Sequence, residues 1–511
     1  MTTTLIEAAY ILEGFRGDEP ILHRDAALVV VDGKVAEIGD KASLEIRYPD
    51  AKRIGNGRTA VVPGFVNAHH HVGLTPLQLG SLDHSLELWF ATRLGLRSVD
   101  LYLDTLYSAF EMIASGVTTV QHLHSRAPGG YDGLMAASRS VLGAYRDIGM
   151  RASFSMAFRD QNRLVYEDDQ AFLKRLPEDV RPALAEYFAE FGNTLDEQAA
   201  VFETLFEECR DENRLAVQLG PSNLHWLSDR ALARAADLSE RYQAPMHVHV
   251  LETAYQKEYA HKRAGASAVR VLADHGLLNE RLTVGHGVWV TSADIEACAE
   301  AGVCLCHNCS SNFRLKSGIA PVNRFVEKGV RVAIGIDEAG INDDRDMLQE
   351  MRMVLRAHRE PGIDAPSPTS ANVLRMATEH GAATTPFGES IGRLTPGSNA
   401  DLVLFDWDAV TYPYQSLDIA FEEVLVQRAK ATSVRTVMIA GEIVYENGGF
   451  TKVDRDAVLA EIAAQLARPD TGKDQARKAL SAAVLPHVKA FYRDNYRLPP
   501  RSPHYKMNDQ G

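Results

Sequence analysis

Apolar positions along this chain change period several times, and the changes mark out its parts. Residues 27–39, "ALVVVDGKVAEIG", form two short alternating runs joined by Asp32-Gly33, the pattern of a β-hairpin. The same character returns near the far end in "ADLVLFDWD" (400–408) and "VRTVMIAGEIVYENGGF" (434–450), with Gly441 and Asn447-Gly448 as turns. Between these ends, short β-branched runs alternate with longer helical stretches: "GVTTVQH", "RASFSMAF", "LAVQLGP", "APMHVHV", "LTVGHG", "GVCLCHN" and "VRVAIGID". That rhythm predicts a parallel α/β domain, and about eight repeats suit a (β/α)8 TIM barrel; a doubly wound open sheet is the alternative.

The expected division is 1–62 and 396–453 as the two parts of one small β-sandwich domain, 63–395 as the barrel, and 454–511 as a helical tail. The tail has helical periodicity in "RDAVLAEIAAQLA" before a proline-rich "RLPPRSPHY", and it would pack on a neighbouring copy or on the chain's own barrel.

Composition narrows the partners. The 511 residues are 45% hydrophobic and 24% charged, enough for a large core. Lys plus Arg total 54 against 68 Asp plus Glu, a net charge of -14 that offers no footprint for nucleic acid or an anionic membrane. Small molecules and copies of the same chain are the expected partners, with a homo-oligomer the expected state. No apolar run approaches the roughly 18 residues of a membrane span, and "MTTTLIEAAY" lacks the basic start of a secretory signal, so a cytoplasmic location is expected. Five cysteines, an odd number, fit reduced thiols better than a disulfide framework.

The chemistry concentrates where apolar runs end. In "VNAHHHVGLTP" (66–76), His69 and His71 share one face of a strand and His70 takes the other, so the outer two are placed to chelate a divalent metal. His122 and His124 repeat that spacing in "TTVQHLHS"; there the preferred reading is one packed histidine and one that lines a pocket. "MHVHVLET" ends with His247 and His249, followed by Glu252; "LTVGHG" ends with His286; "VAIGIDEAG" ends with Asp337. In a barrel all these strand ends converge on one mouth. Cys306-x-x-Cys309 lacks the preceding proline and the longer separation of the cytidine-deaminase zinc motif, and alternating Cys304 and Cys306 read as core thiols.

Taken together, "VPGFVNAHHH", "HVHVLET", "VGHG", "HNCSSNFRLKSGIAPV", "IGIDEAGINDDRDM", "LRMAT" and "GSNADLVLFD" resemble the amidohydrolase superfamily. The branch is the one that includes chlorohydrolases, cytosine and guanine deaminases, and the deaminases of methylthioadenosine and S-adenosylhomocysteine. The resemblance spans roughly residues 27 to 450. It implies metal ligation by His69, His71, His249 and Asp337. Glu252 would be the proton shuttle, and His286 would hold the attacking water, so that Glu252, His286 and Asp337 form the catalytic set. Three neutral imidazoles and a carboxylate leave one position open for water, whose pKa a metal lowers to about 7. Binuclear members of the superfamily carry a bridging lysine on the fourth strand; "LAVQLGPSN" has none, which implies one divalent ion, zinc first and iron second.

The expected reaction is hydrolysis of a C–N bond, other than a peptide bond, in a small cyclic amidine or heteroaromatic compound, with release of ammonia or an amine. Hydrolysis of an amide, urea or thiocarbamate, or dechlorination, is the alternative on the same site; a silent metal-containing binding protein is the alternative of another class. Ser222 stands where methylthioadenosine deaminases usually carry histidine, and Glu338 where they carry glycine, which weighs against a nucleoside. Trp89, His124, Arg159, Ser222, His225, Trp226, His307, Asn312 and Glu338 are the candidate substrate contacts.

Overall fold

In the computed structural model, which describes residues 2–71, 73–496 and 498, the N-terminal arm forms β1 (Thr3–Arg16), β2 (Glu19–Val31), β3 (Lys34–Asp40) and β4 (Lys52–Pro63). The barrel strands follow: β5 (Phe65–His70), β6 (Val117–His124), β7 (Arg151–Phe158), β8 (Leu215–Val217) with its short extension β9 (Gly220–Pro221), β10 (Met246–Val250), β11 (Leu282–His286), β12 (Cys304–His307) and β13 (Arg331–Ile334). The C-terminal arm adds β14 (Leu402–Asp406), β15 (Val434–Ile439), β16 (Glu442–Glu446) and β17 (Gly449–Phe450).

Turn chemistry explains the small sheet. Asp32 and Gly33 have φ of 45° and 80°, and Asn447 and Gly448 have 50° and 90°. Both pairs therefore adopt the doubly left-handed turn whose twist matches antiparallel strands. β14 pairs with β4, so the two arms join in one ladder of order β17-β16-β15-β14-β4-β1-β2-β3. The hydrogen bonds thus run through one continuous eight-stranded sheet built from both arms.

The barrel strands are parallel, short and almost wholly buried, which is why they read as continuous apolar runs. Two strand ladders are joined at both seams by parallel bridges, His70 with Asp337 on one side and Leu219 with Met246 on the other. The ring closes, and the strand ends that carry the histidines face one mouth.

Over that mouth lies the helix Leu86–Arg93, backed by the long helix Gly472–Asn495. Ala91 and Leu94 pack with Leu164, Tyr166, Tyr187, Val484, Val488 and Phe491 in one apolar cluster. The tail thus packs on the chain's own barrel. Arg497 and the end of the chain from Pro499, which hold most of the proline-rich stretch, lie outside the described residues. All five cysteines are free and buried, Cys304 and Cys306 among them. No described helix is long and apolar enough to cross a membrane.

Candidate metal centre and its cavity

The first histidines arrive on β5, whose buried strand carries His69 inward and ends just before His71. His71 Nδ1 lies 2.6 Å from the Leu123 carbonyl oxygen, and His249 Nδ1 lies 2.8 Å from that of Ser222. A carbonyl only accepts, so each Nδ1 carries the proton and each Nε2 keeps a lone pair. Those lone pairs converge. His69 Nε2 and His71 Nε2 are 3.1 Å apart, His71 Nε2 and His249 Nε2 are 3.2 Å apart, and Asp337 Oδ1 lies 3.7 Å from His69 Nε2 and 3.4 Å from His71 Nε2.

Lone pairs so close repel one another unless something positive sits between them. A divalent ion about 2.0–2.2 Å from each atom would answer all four, so this donor set fits a metal. Burial first, and the neighbouring imidazoles second, push the His69 and His249 pKa values down, that of His249 to about 3. Both rings are neutral at pH 7, the form that ligates. Behind them, His69 Nδ1 meets His247 Nε2 at 2.8 Å, which fixes the ring plane of His69.

The backbone bends to deliver these groups. Asp337 and His286 have φ of 64° and 69°, left-handed values that turn each side chain inward at a strand end. Gly335 lies so close beneath His69 that an added Cβ would stand 2.5 Å from the His69 Cβ.

Glu252 and His286 complete the floor. Glu252 is 3% exposed; burial, then the charges of Asp337 and Glu87, hold its carboxyl well above the usual range. Its Oε2 lies 3.8 Å from His286 Nε2, which in turn is 3.7 Å from Asp337 Oδ2. His286 Nδ1 pairs with Asn312 Oδ1 at 2.9 Å, and Asn308 Nδ2 approaches the other ring nitrogen at 3.2 Å. Ser311 Oγ donates to Asp337 Oδ2 at 2.7 Å. Ser311 and Asn312 both ride on the helix Cys309–Arg314, whose first turn donates from the Ser310 backbone and hydroxyl to buried Glu350.

Above this floor opens a cavity lined by His71, His249, Glu252, His286 and Asp337 at its base. Of the candidate substrate contacts, Trp89, His124, Arg159, Ser222, Trp226 and Glu338 line it. Three do not. His225 stacks on Tyr166 with ring centres 4.0 Å apart, His307 turns its ring to His358 at 2.8 Å, and Asn312 is spent on His286. Of the second histidine pair, His124 lines the cavity and His122 packs against the Tyr145 hydroxyl at 2.8 Å. Sequence reasoning passed over Arg93, Arg126, Phe90 and Leu164 in the walls, and Asn308 and Ser311 in the floor. The polar run "HNCSSN" directly after a strand was the available signal for the last two.

The family profile described as "Amidohydrolase family" matches residues 60–444. The chain belongs to that family. A 5-methylthioadenosine/S-adenosylhomocysteine deaminase of Syntrophomonas wolfei is 30% identical over 453 residues, covering 87% of this chain and 94% of its own length. Among solved structures, an adenosine deaminase from Xanthomonas campestris with bound zinc aligns with a TM-score of 0.76 at 24% identity, over 94% of this chain and 99% of that one. Atrazine chlorohydrolase from Arthrobacter aurescens TC1, complexed with zinc, aligns with a TM-score of 0.77 at 19% identity, over 90% of this chain and 99% of that one. These likenesses establish the α/β amidohydrolase fold of the TIM-barrel superfamily.

Proposed function

We propose that this protein is a metal-dependent aminohydrolase that removes ammonia or an amine from a ring carbon of a small heteroaromatic compound or cyclic amidine. One observation carries the reading: three imidazole nitrogens and the Asp337 carboxylate converge within 3.1–3.7 Å beside the buried carboxyl of Glu252. The division of the chain into barrel, tail and small sandwich domain given above belongs to the same reading. So does a single ion, zinc, since the fourth barrel segment, "LAVQLGPSN", carries no lysine to bridge two ions.

A bound divalent ion supplies Lewis acidity and lets water give up a proton near neutral pH. The chain's own groups do the rest. Glu252 takes a proton from the attacking water and passes it to the departing nitrogen, and its raised pKa suits a group that must be acid and base in turn. His286, whose Nδ1–H donates to Asn312 Oδ1, presents its Nε2 as the acceptor that orients the attacking water. Asp337 Oδ2, pinned by Ser311, keeps the carboxylate turned to the cluster. Water's oxygen ends as the ring carbonyl, the C–N bond breaks, and the nitrogen leaves protonated. Trp89, Phe90 and Leu164 offer apolar walls for a flat ring.

The test is ammonia release by the zinc-loaded protein from 5′-methylthioadenosine, guanine, cytosine and an amino-triazine, with Glu252→Gln alongside. Turnover of at least one ring, silent in the variant, is expected. Chloride or a side-chain amine as the sole product from halogenated or amide substrates, with every ring amine returned unchanged, would contradict the reading.

A further inference from the structure

Four arginines reach the cavity, and two of them are spoken for. Arg93 pairs with Glu338 and Arg163 with Asp169. Arg126 and Arg159 have no carboxylate within ion-pair distance among the described residues, although the chain as a whole carries a net charge of -14. They sit just past the ends of neighbouring strands, Arg126 two residues beyond β6 and Arg159 one beyond β7. Both are half-buried, and both also line a smaller side pocket that shares this wall.

Each guanidinium carbon lies over aromatic rings. Arg159 lies 4.4 Å from the ring centre of Trp226, and Arg126 lies 5.2 Å from Tyr187 and 4.6 Å from Phe191. Arg159 Nη2 donates to the Arg163 carbonyl at 3.1 Å, and its remaining guanidinium N–H groups have no acceptor among the described residues. Burial, and then the like charge of Arg126, lower its pKa to about 9. Two cations stripped of part of their water, with no carboxylate within ion-pair distance and the nearby Asp169 already paired with Arg163, are costly in the free protein. A ligand that brings an anion removes that cost through charge-assisted, bidentate contact.

We propose that the substrate carries an anionic group, a carboxylate or a phosphate, which Arg159 and Arg126 clasp at the outer end of the cavity while its ring meets Glu252 and the histidine cluster. This inference rests on the reaction proposed above for the same cavity. The anion sets the direction of entry, and the aromatic backing of each arginine keeps the clasp preformed.

Equilibrium titration of the zinc-loaded full chain tests it, with benzoate, phenyl phosphate and the neutral benzamide as probes. One of the two anions is expected to bind at least about tenfold tighter than benzamide, with an advantage that shrinks as salt is raised. Which anion binds tighter identifies carboxylate or phosphate. Arg159→Gln is expected to weaken that anion about tenfold and leave benzamide within about twofold; Arg126→Gln costs the anion less, and Arg159→Lys retains part of the preference. An anion seated on the metal would keep its affinity in all three variants, and that result, or benzamide binding as tightly as both anions, overturns the proposal. Ammonia release from a neutral ring amine with no anion preference would remove this subsite and leave the reaction standing. An arginine-dependent anion preference with no ammonia from any ring amine would do the reverse.

Discussion

The floor and the mouth of the cavity are built on different terms. At the floor every group is doubly held: His69 by its strand and His247, Asp337 by a left-handed backbone and Ser311, His286 by another such turn and Asn312. At the mouth, Trp89 comes from a helix of eight residues, and Arg126, Arg159 and Trp226 come from connections beyond strand ends, where the guanidinium groups of Arg126 and Arg159 lie over aromatic rings. Chemistry needs groups fixed to a fraction of an ångström, which parallel strands and their cross-braces supply, whereas recognition tolerates walls that can be exchanged. The two regions should therefore fail differently when altered.

The largest effect belongs to the floor. Glu252→Gln is expected to keep its metal, measured by elemental analysis, and to lose about 10²- to 10⁴-fold in kcat, since a proton carrier is removed while the shape stays. Asn312→Ala, which only frees the ring of His286, is expected to lower kcat about 10- to 100-fold with KM little changed. At the mouth the pattern inverts: Trp89→Leu is expected to raise KM about three- to tenfold and leave kcat within about twofold, because it removes contact made equally before and during reaction. Equal losses of kcat from Trp89→Leu and Asn312→Ala would erase the distinction.

The smallest effect is one of stability beneath the floor. Glu350 is buried, and burial above all raises its pKa to about 7 from an ordinary 4.5. A carboxyl whose folded pKa is raised binds its proton more tightly in the folded chain, so its contribution is full below about pH 4.5 and is lost as pH rises through 7. Glu350→Gln is expected to flatten that fall, worth at most about 3 kcal/mol, in urea unfolding curves recorded between pH 5 and 8.

The same contrast decides how much was legible in the sequence. His69, His71, His249, Glu252, His286 and Asp337 stand at strand ends, and a period of two plus barrel geometry is enough to bring them to one mouth. Asn312 and His307 also follow a strand, yet one points down to His286 and the other outward to His358, a choice made by the packing of the helices Cys309–Arg314 and Met347–Ala357. His225 and Trp226 are adjacent in sequence, and only the turn of Leu224–Trp226 decides that the tryptophan takes the cavity. Helical periodicity announced the tail, but its partner, the helix Leu86–Arg93, is nearly four hundred residues away and leaves no local trace. The doubly left-handed turns were readable because Asp-Gly and Asn-Gly have a local cause.

The central claim is that His69, His71, His249 and Asp337 hold one divalent ion. Elemental analysis of protein purified without added metal, wild type beside His249→Ala, tests it most directly. About one zinc per chain in the wild type, lost from a variant whose circular dichroism is unchanged, is the predicted result. Wild-type protein that takes up no metal even after zinc is supplied, or a variant that keeps the full complement, would contradict it.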